Sequence, residues 1–253
     1  MTTQNCALVV GVGERQGIGG ATSVLLGQQG MKVFMVGRTP GRLTPIVRAI
    51  EDLGGTAQAI YADCTDAPQM EQVFATIRDS GLPLRFVLYN TGRNLPSAFL
   101  QSSAEQLDGQ FKRGAYGGLI TGQGAVRLML HNAAEQGQRG SIFYTGASAS
   151  LRGKPLFAGF SAAKAGLRAM AQSMAREFGP QGIHVGHVVI DGVVDGAIVQ
   201  QFGSGLGRLL LRRKGKDGSL HPDAVAQTFW QLHQQPVNAW THELDLRPYK
   251  EPF

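Results

Sequence analysis

Short apolar runs alternate with helix-patterned stretches along the whole chain, and few architectures accept that order. Cys6–Val12, Lys32–Gly37, Ala57–Tyr61, Leu84–Tyr89, Ser141–Tyr144, Val185–Ile190 and Trp240–Leu246 read as strands. Gly19–Gln29, Pro40–Leu53 and Ala67–Asp79 carry helical spacing, and long helical segments lie between Tyr144 and Val185. Strands separated by helices cannot pair as tight hairpins; they need crossovers, which give a parallel sheet covered on both faces. The expectation is therefore an α/β fold, a single-domain Rossmann-type doubly wound parallel sheet over residues 1–253, with ligands at the carboxyl ends of its strands. The least regular stretch, about 192–219, holds Gly203, Gly205, Gly207, Gly215 and Gly218 and predicts a mobile loop or a short helix pair.

Composition removes several function classes. With 253 residues, 43% hydrophobic and 17% charged, the chain is long and apolar enough for one large core. No apolar run approaches the ~20 residues that cross a bilayer, so no membrane partner is expected. The opening MTTQNCALVV has no basic region ahead of its apolar stretch, which argues against a signal peptide. Cys6 and Cys64 are the only cysteines, a usage that predicts a reduced, cytoplasmic setting. The net charge of +6 is scattered except for Arg212, Arg213, Lys214 and Lys216. No recognition module accompanies that cluster, so the expected partner is a small-molecule substrate and no nucleic acid. No metal is expected either, since His184 and His187 would fall on opposite faces of one strand. His221 precedes Pro222-Asp223, a helix start, and His242 reads as a buried, hydrogen-bonded side chain.

The first strand runs into Gly13-Glu14-Arg15-Gln16-Gly17-Ile18-Gly19, which opens the first helix. Residues without a Cβ let the backbone turn tightly and let a pyrophosphate approach the helix N-terminus. At the end of the second strand stands Gly37-Arg38, where an acidic side chain would bind the ribose hydroxyls of NAD(H). A guanidinium suits a phosphate monoester instead, so NADP(H) is expected rather than NAD(H), with Arg15 and Arg42 assisting Arg38.

The spacing Gly13-x-x-x-Gly17-x-Gly19 resembles that of the short-chain dehydrogenase/reductase family. Asp63-Cys64 looks like that family's adenine contact, and Asn90-Thr91-Gly92 like its Asn-Ala-Gly turn, in which Asn90 would hold the central strands. Val12 stands where a threonine is usual, and Glu14 adds negative charge near the phosphates. The resemblance implies a tetrad of asparagine, serine, tyrosine and lysine. In Phe160-Ser161-Ala162-Ala163-Lys164 the Tyr-x-x-x-Lys spacing is present with Phe160 at the tyrosine. Ala147 takes the serine position and Ala115 the asparagine, so Lys164 alone remains, expected to contact the nicotinamide ribose. A phenyl ring transfers no proton and a methyl group donates no hydrogen bond. General acid catalysis is commonly worth ~10²–10⁴ in rate, and one oxyanion donor about 3–4 kcal/mol. Tyr116, Tyr144, Ser148, Ser150 and Ser161 read as packing or capping residues rather than replacements. After the sixth strand, Asp191-Gly192 and Asp195-Gly196 replace the family's Pro-Gly and threonine; they read as turn formers, with Asp195 as a candidate carboxamide contact.

These residues, with the ending Ala239 to Tyr249, resemble a divergent branch of the family that carries Phe-x-x-x-Lys. The resemblance implies that about 192–219 is a mobile lid in which Leu206, Leu209, Leu210 and Leu211 would cover the pocket, with Arg212, Arg213 and Lys214 outward. A homodimer or homotetramer is implied, and Gly117, Gly118, Gly122, Gly124 and Ala125 would permit close helix approach. Three functions remain open: an NADP(H)-dependent oxidoreductase with another proton source, a non-catalytic NADP(H)-binding sensor or partner subunit, and a scaffold that binds no nucleotide.

Overall fold

A computed structural model describes residues 4–92, 94–201 and 206–252. Seven strands form one sheet: β1 (Cys6–Val10), β2 (Lys32–Gly37), β3 (Thr56–Tyr61), β4 (Leu84–Tyr89), β5 (Gly140–Ala147), β6 (Ile183–Ile190) and β7 (Glu243–Leu246). Their order is β3-β2-β1-β4-β5-β6-β7, and every neighbouring pair is parallel. The order reverses between β1 and β4, which opens a crevice at the carboxyl ends of those two strands.

Helices cover both faces. On one side α1 (Ile18–Gln28), α2 (Pro40–Asp52) and α9 (Pro222–His233) bury Leu26, Leu43, Ile46, Ile50, Val225 and Phe229 against Ala7, Val9, Val33 and Phe143. On the other, α3 (Ala67–Asp79), α5 (Gly117–Met129) and α6 (Ala158–Phe178) bury Met70, Val73, Met129, Leu167 and Ala171 against Leu8, Val10, Ile142 and Tyr144. Strand residues of alternating parity therefore feed two separate cores, which is why the central strands read as unbroken apolar runs. A short α4 (Ala104–Phe111) precedes a π-type turn, Lys112–Tyr116, that leads into α5. No helix among the described residues is long and apolar enough to cross a membrane.

The structure corrects several expectations. The first strand stops at Val10, because Gly11 adopts φ +86° and the Gly11 and Val12 amides both donate to the Val36 carbonyl. The last strand begins at Glu243, not Trp240; the Trp240 ring instead stacks on His184 at 4.9 Å, beside a turn closed by Gln235 and Thr241. Gly117, Gly118, Gly122 and Gly124 serve the chain's own packing against Tyr89, Leu167, Tyr144 and Phe74, and Ala125 is in the core.

The expected lid is a short helix pair, α7 (Ala197–Gln201) and α8 (Leu206–Lys214). Gly203 and Gly205 lie outside the described residues, as do the side chains of Leu206 and Leu210. Leu209 is exposed rather than folded over a pocket, while Arg212 and Arg213 face outward as expected.

Candidate active site

The turn between β1 and α1 is built for an anion. Gly17 caps α1 without any side-chain hydrogen bond, and no acidic residue stands in the first turn, so the free N–H groups there are unopposed. A Cβ on Gly13 would meet nothing within 4 Å, which leaves open space over the turn. Glu14 does not stand free beside that space; its carboxylate takes Arg42 at 3.1 Å. Gly20, absent from the sequence reading, is the residue the turn demands most, because a Cβ there would collide with the Glu14 carbonyl. Ile18 packs on the α1-side core. The Asn90 amide nitrogen donates to the Gly11 carbonyl at 3.5 Å and its backbone N–H to the Val10 carbonyl at 2.8 Å, tying β4 to the end of β1.

At the end of β2 a Cβ on Gly37 would lie 2.6 Å from the Val12 carbonyl, so no side chain fits there. The next residue, Arg38, is exposed and donates to Asp63 at 3.3 Å. Burial pushes the Asp63 carboxyl up, but bonds from Thr65 and the Arg38 charge outweigh it and hold it below the usual range. Burial raises the Cys64 thiol, which lies 3.8 Å from the Tyr89 hydroxyl. Arg15 pairs loosely with Asp223 at 3.7 Å. An open glycine turn, an uncapped helix start and an arginine at the β2 edge together fit a dinucleotide.

Across the crevice, Lys164 is 4% exposed and donates to the carbonyls of Thr91 (2.8 Å) and Thr145 (2.7 Å). Burial lowers its pKa to about 8. The Phe160 ring lies one helical turn earlier, its centroid 5.9 Å from Nζ. Gly92, at φ +137°, completes the contact: a Cβ there would come within 3.0 Å of Lys164 Cε and 3.5 Å of the Phe160 ring. The Asn-Thr-Gly turn, the phenyl ring and the ammonium thus meet at one point.

Ala147 ends β5 two residues beyond the carbonyl that Lys164 holds, and its N–H donates to Ser150 Oγ at 3.1 Å. Ala115 is buried in the π turn and packs towards Gly166 of α6. Such turns release a carbonyl from the helix ladder. In this turn the Arg113 carbonyl accepts from the Tyr89 hydroxyl at 2.6 Å and from Thr91 Oγ1. Thr91 therefore links the π turn to Lys164, a role with no signal in the sequence. Tyr144 donates to the Gly118 carbonyl at 3.3 Å deep in the core, and Tyr116 is exposed. Neither places a phenol beside Phe160. Ser161 Oγ is buried with no hydrogen-bond partner.

Asp191 is more than a turn former. It is 3% exposed and takes two bonds from Arg152 at 3.1 Å and another from Arg247, joining the exits of β5 and β6 to the tail. Burial pushes its carboxyl up, but the two guanidiniums outweigh that and hold it low. Asp195 accepts from Gln200 of α7 at 2.8 Å. Beneath β5, buried His187 bonds Glu243 at 3.0 Å, and Glu243 takes both nitrogens of Arg168 at 2.6 and 2.8 Å. Glycine at 146 makes room, since a Cβ would strike the His187 ring. Burial lowers His187 to about 4, so the ring is neutral at pH 7.

A parallel sheet with this strand order, a glycine turn at its switch point and a buried lysine against the Asn90–Gly92 turn at the end of the neighbouring strand define a nucleotide-binding protein of the dehydrogenase type. The short chain dehydrogenase family model matches residues 5–207. The chain belongs to that family, whose oxidoreductases use a nicotinamide cofactor. It is 30% identical over 181 residues to a short-chain dehydrogenase/reductase of Armillaria gallica, spanning 71% of this chain and 67% of that one. It is 27% identical over 182 residues to a 3-oxoacyl-[acyl-carrier-protein] reductase of Bos taurus, spanning 72% and 73%. Among solved structures, a short-chain dehydrogenase from Rhodopseudomonas palustris matches at 35% identity and TM-score 0.77, over 97% of this chain and 100% of that one.

Proposed function

We propose that this protein is an NADP(H)-dependent oxidoreductase that works without the asparagine, serine and tyrosine of the family tetrad, using Lys164 as its one catalytic side chain. The supporting observation is the Lys164 ammonium itself. Removing a charge from water costs several kcal/mol, and two carbonyls are a modest return. An ammonium has three N–H donors, so one remains for a ribose hydroxyl or a substrate oxygen. Gly13, Gly17, Ile18 and Gly19 would cradle the pyrophosphate, Asp63 and Cys64 the adenine, and Arg38 the 2′-phosphate. The reduced nicotinamide supplies hydride when bound; the chain's own task is to hold it and to stabilise negative charge.

Preference for NADP(H) over NAD(H) rests on Arg38 and on the steric exclusion of any acid at Gly37. The arginines of the Arg38–Asp63 and Arg42–Glu14 pairs are about half exposed or more, which leaves their guanidiniums reachable by a phosphate that exchanges with the carboxylates. Thermal unfolding with NADPH and NADH tests this. A ligand at ~100 times its dissociation constant adds ~2.7 kcal/mol of stability. A larger effect from NADPH, lost in Arg38→Asp, is expected; no effect from either nucleotide sinks the reading.

Phe160, Ala147 and Ala115 together favour a second reading, a non-catalytic NADP(H)-binding sensor or partner subunit. NADPH binding without oxidation across a broad panel of acceptors, together with partner affinity that changes on NADPH binding, would select it.

A further inference from the structure

Three features of the site bear on what can be reduced there. Among the described residues no phenol stands beside Lys164: Phe160 is at contact distance, Ala147 has only a methyl group, and the phenols of Tyr89 and Tyr144 are turned away to the Arg113 and Gly118 carbonyls. The cation that remains is fixed, with two donors committed and one spare. The segments leaving Gly92, leaving Ala147 and entering Phe160 expose Leu95, Leu151 and Leu156 respectively, and the Ser97 N–H to Leu156 carbonyl bond at 2.7 Å clasps the first segment to the third.

Such a site is poorly matched to the reduction of a simple ketone, which concentrates negative charge on one strongly basic oxygen with only a single ammonium N–H to stabilise it. It can finish a reduction that ends on a delocalised oxyanion, which is far less basic; a phenol already ionises at about pH 10. We propose that the substrate is an α,β-unsaturated ketone, quinones included, reduced by conjugate addition, with the spare N–H of Lys164 on the carbonyl oxygen. Hydride from the reduced nicotinamide forms a C–H bond at the β-carbon and breaks the C=C π bond. The electron pair passes to the carbonyl oxygen as an enolate paired with the Lys164 ammonium. Water then protonates the α-carbon of an enone product, or the oxygen of a hydroquinone once ring tautomerisation is complete. The nicotinamide is oxidised, the alkene reduced, and one proton is taken from solvent. This assignment rests on the proposed oxidoreductase function.

Binding of 4-nitrophenol tests the oxyanion site without turnover. With the protein saturated by NADP⁺, its pKa, read from phenolate absorbance, is expected to fall by at least about one unit, a tenfold gain in acidity equivalent to about 1.4 kcal/mol. Lys164→Met abolishes the shift and Lys164→Arg retains part of it. An unchanged or weakened acidity on the wild-type protein overturns the inference whether or not the variants fold. In the second arm, NADPH oxidation is followed with 2-cyclohexen-1-one and with cyclohexanone. Saturation of the alkene with at least a hundredfold preference for the enone is the expected result. Equal use of cyclohexanone, or silence toward the enone despite the phenolate shift, overturns the substrate assignment. Failure of NADPH to stabilise the protein would instead remove the underlying function, so the two failures are separable.

Discussion

Replacing Lys164 by methionine isolates the energetic signature of the buried ammonium. The folded-state pKa of about 8 lies below the ordinary 10.5 because burial disfavours the charged form. Between those values the unfolded chain binds more protons than the folded one, so stability rises as pH rises through this window. The penalty is fully present below pH 8 and gone above 10.5, and that separation corresponds to about 3 kcal/mol. Methionine has nearly the same volume and no charge, so its variant lacks this slope. The variant also leaves the Thr91 and Thr145 carbonyls without that donor, at about 1–3 kcal/mol each, but that loss does not depend on pH. Other groups that titrate at high pH, such as the Cys6 thiol pushed up to about 12 by burial, cancel in the comparison. Urea unfolding of both proteins from about pH 7 to about pH 9.5 should show the wild type gaining about 2 kcal/mol on the variant. Parallel curves would mean that Lys164 titrates as a solvated lysine. The argument from a costly buried cation to a ligand-binding role would then fail.

Gly146→Ala drives a Cβ into the His187 ring and should cost about 1–3 kcal/mol in denaturant midpoint measurements. The added change His187→Ala recovers part of that loss, whereas simple additivity would show that the two side chains do not meet. Asp191→Asn removes the anion between Arg152 and Arg247 and is expected to cost about 3–5 kcal/mol at pH 7. Because Asp191 is held below its usual pKa, the wild type's advantage over this variant is present above about pH 4 and shrinks on further acidification. A difference that is flat down to low pH would argue against the ion pairs. Gly92→Ala imposes a strained φ and a collision with Lys164, for about 1–3 kcal/mol of stability. NADPH affinity should fall as well, and an unchanged affinity would detach the Asn90–Gly92 turn from the cofactor site.

Local pattern determined much of this protein. The periodicities of Lys32–Gly37, Ala67–Asp79 and Leu84–Tyr89 gave elements with those same bounds, because side chains of neighbouring residues carry their own signal of face and spacing. The parallel sheet followed from the β-α order alone, and the glycine turn and the pairing of Phe160 with Lys164 were written in short stretches of chain. What only tertiary structure decided lies between residues distant in sequence. Trp240 leaves the last strand to stack on His184, Asp191 gathers Arg152 and Arg247, and Thr91 meets the π turn. The small residues of α5 turn inward upon Tyr89, Tyr144 and Phe74. A propensity is a property of neighbours along the backbone, whereas a partner brought in by folding from tens of residues away leaves no mark on the local pattern of either segment.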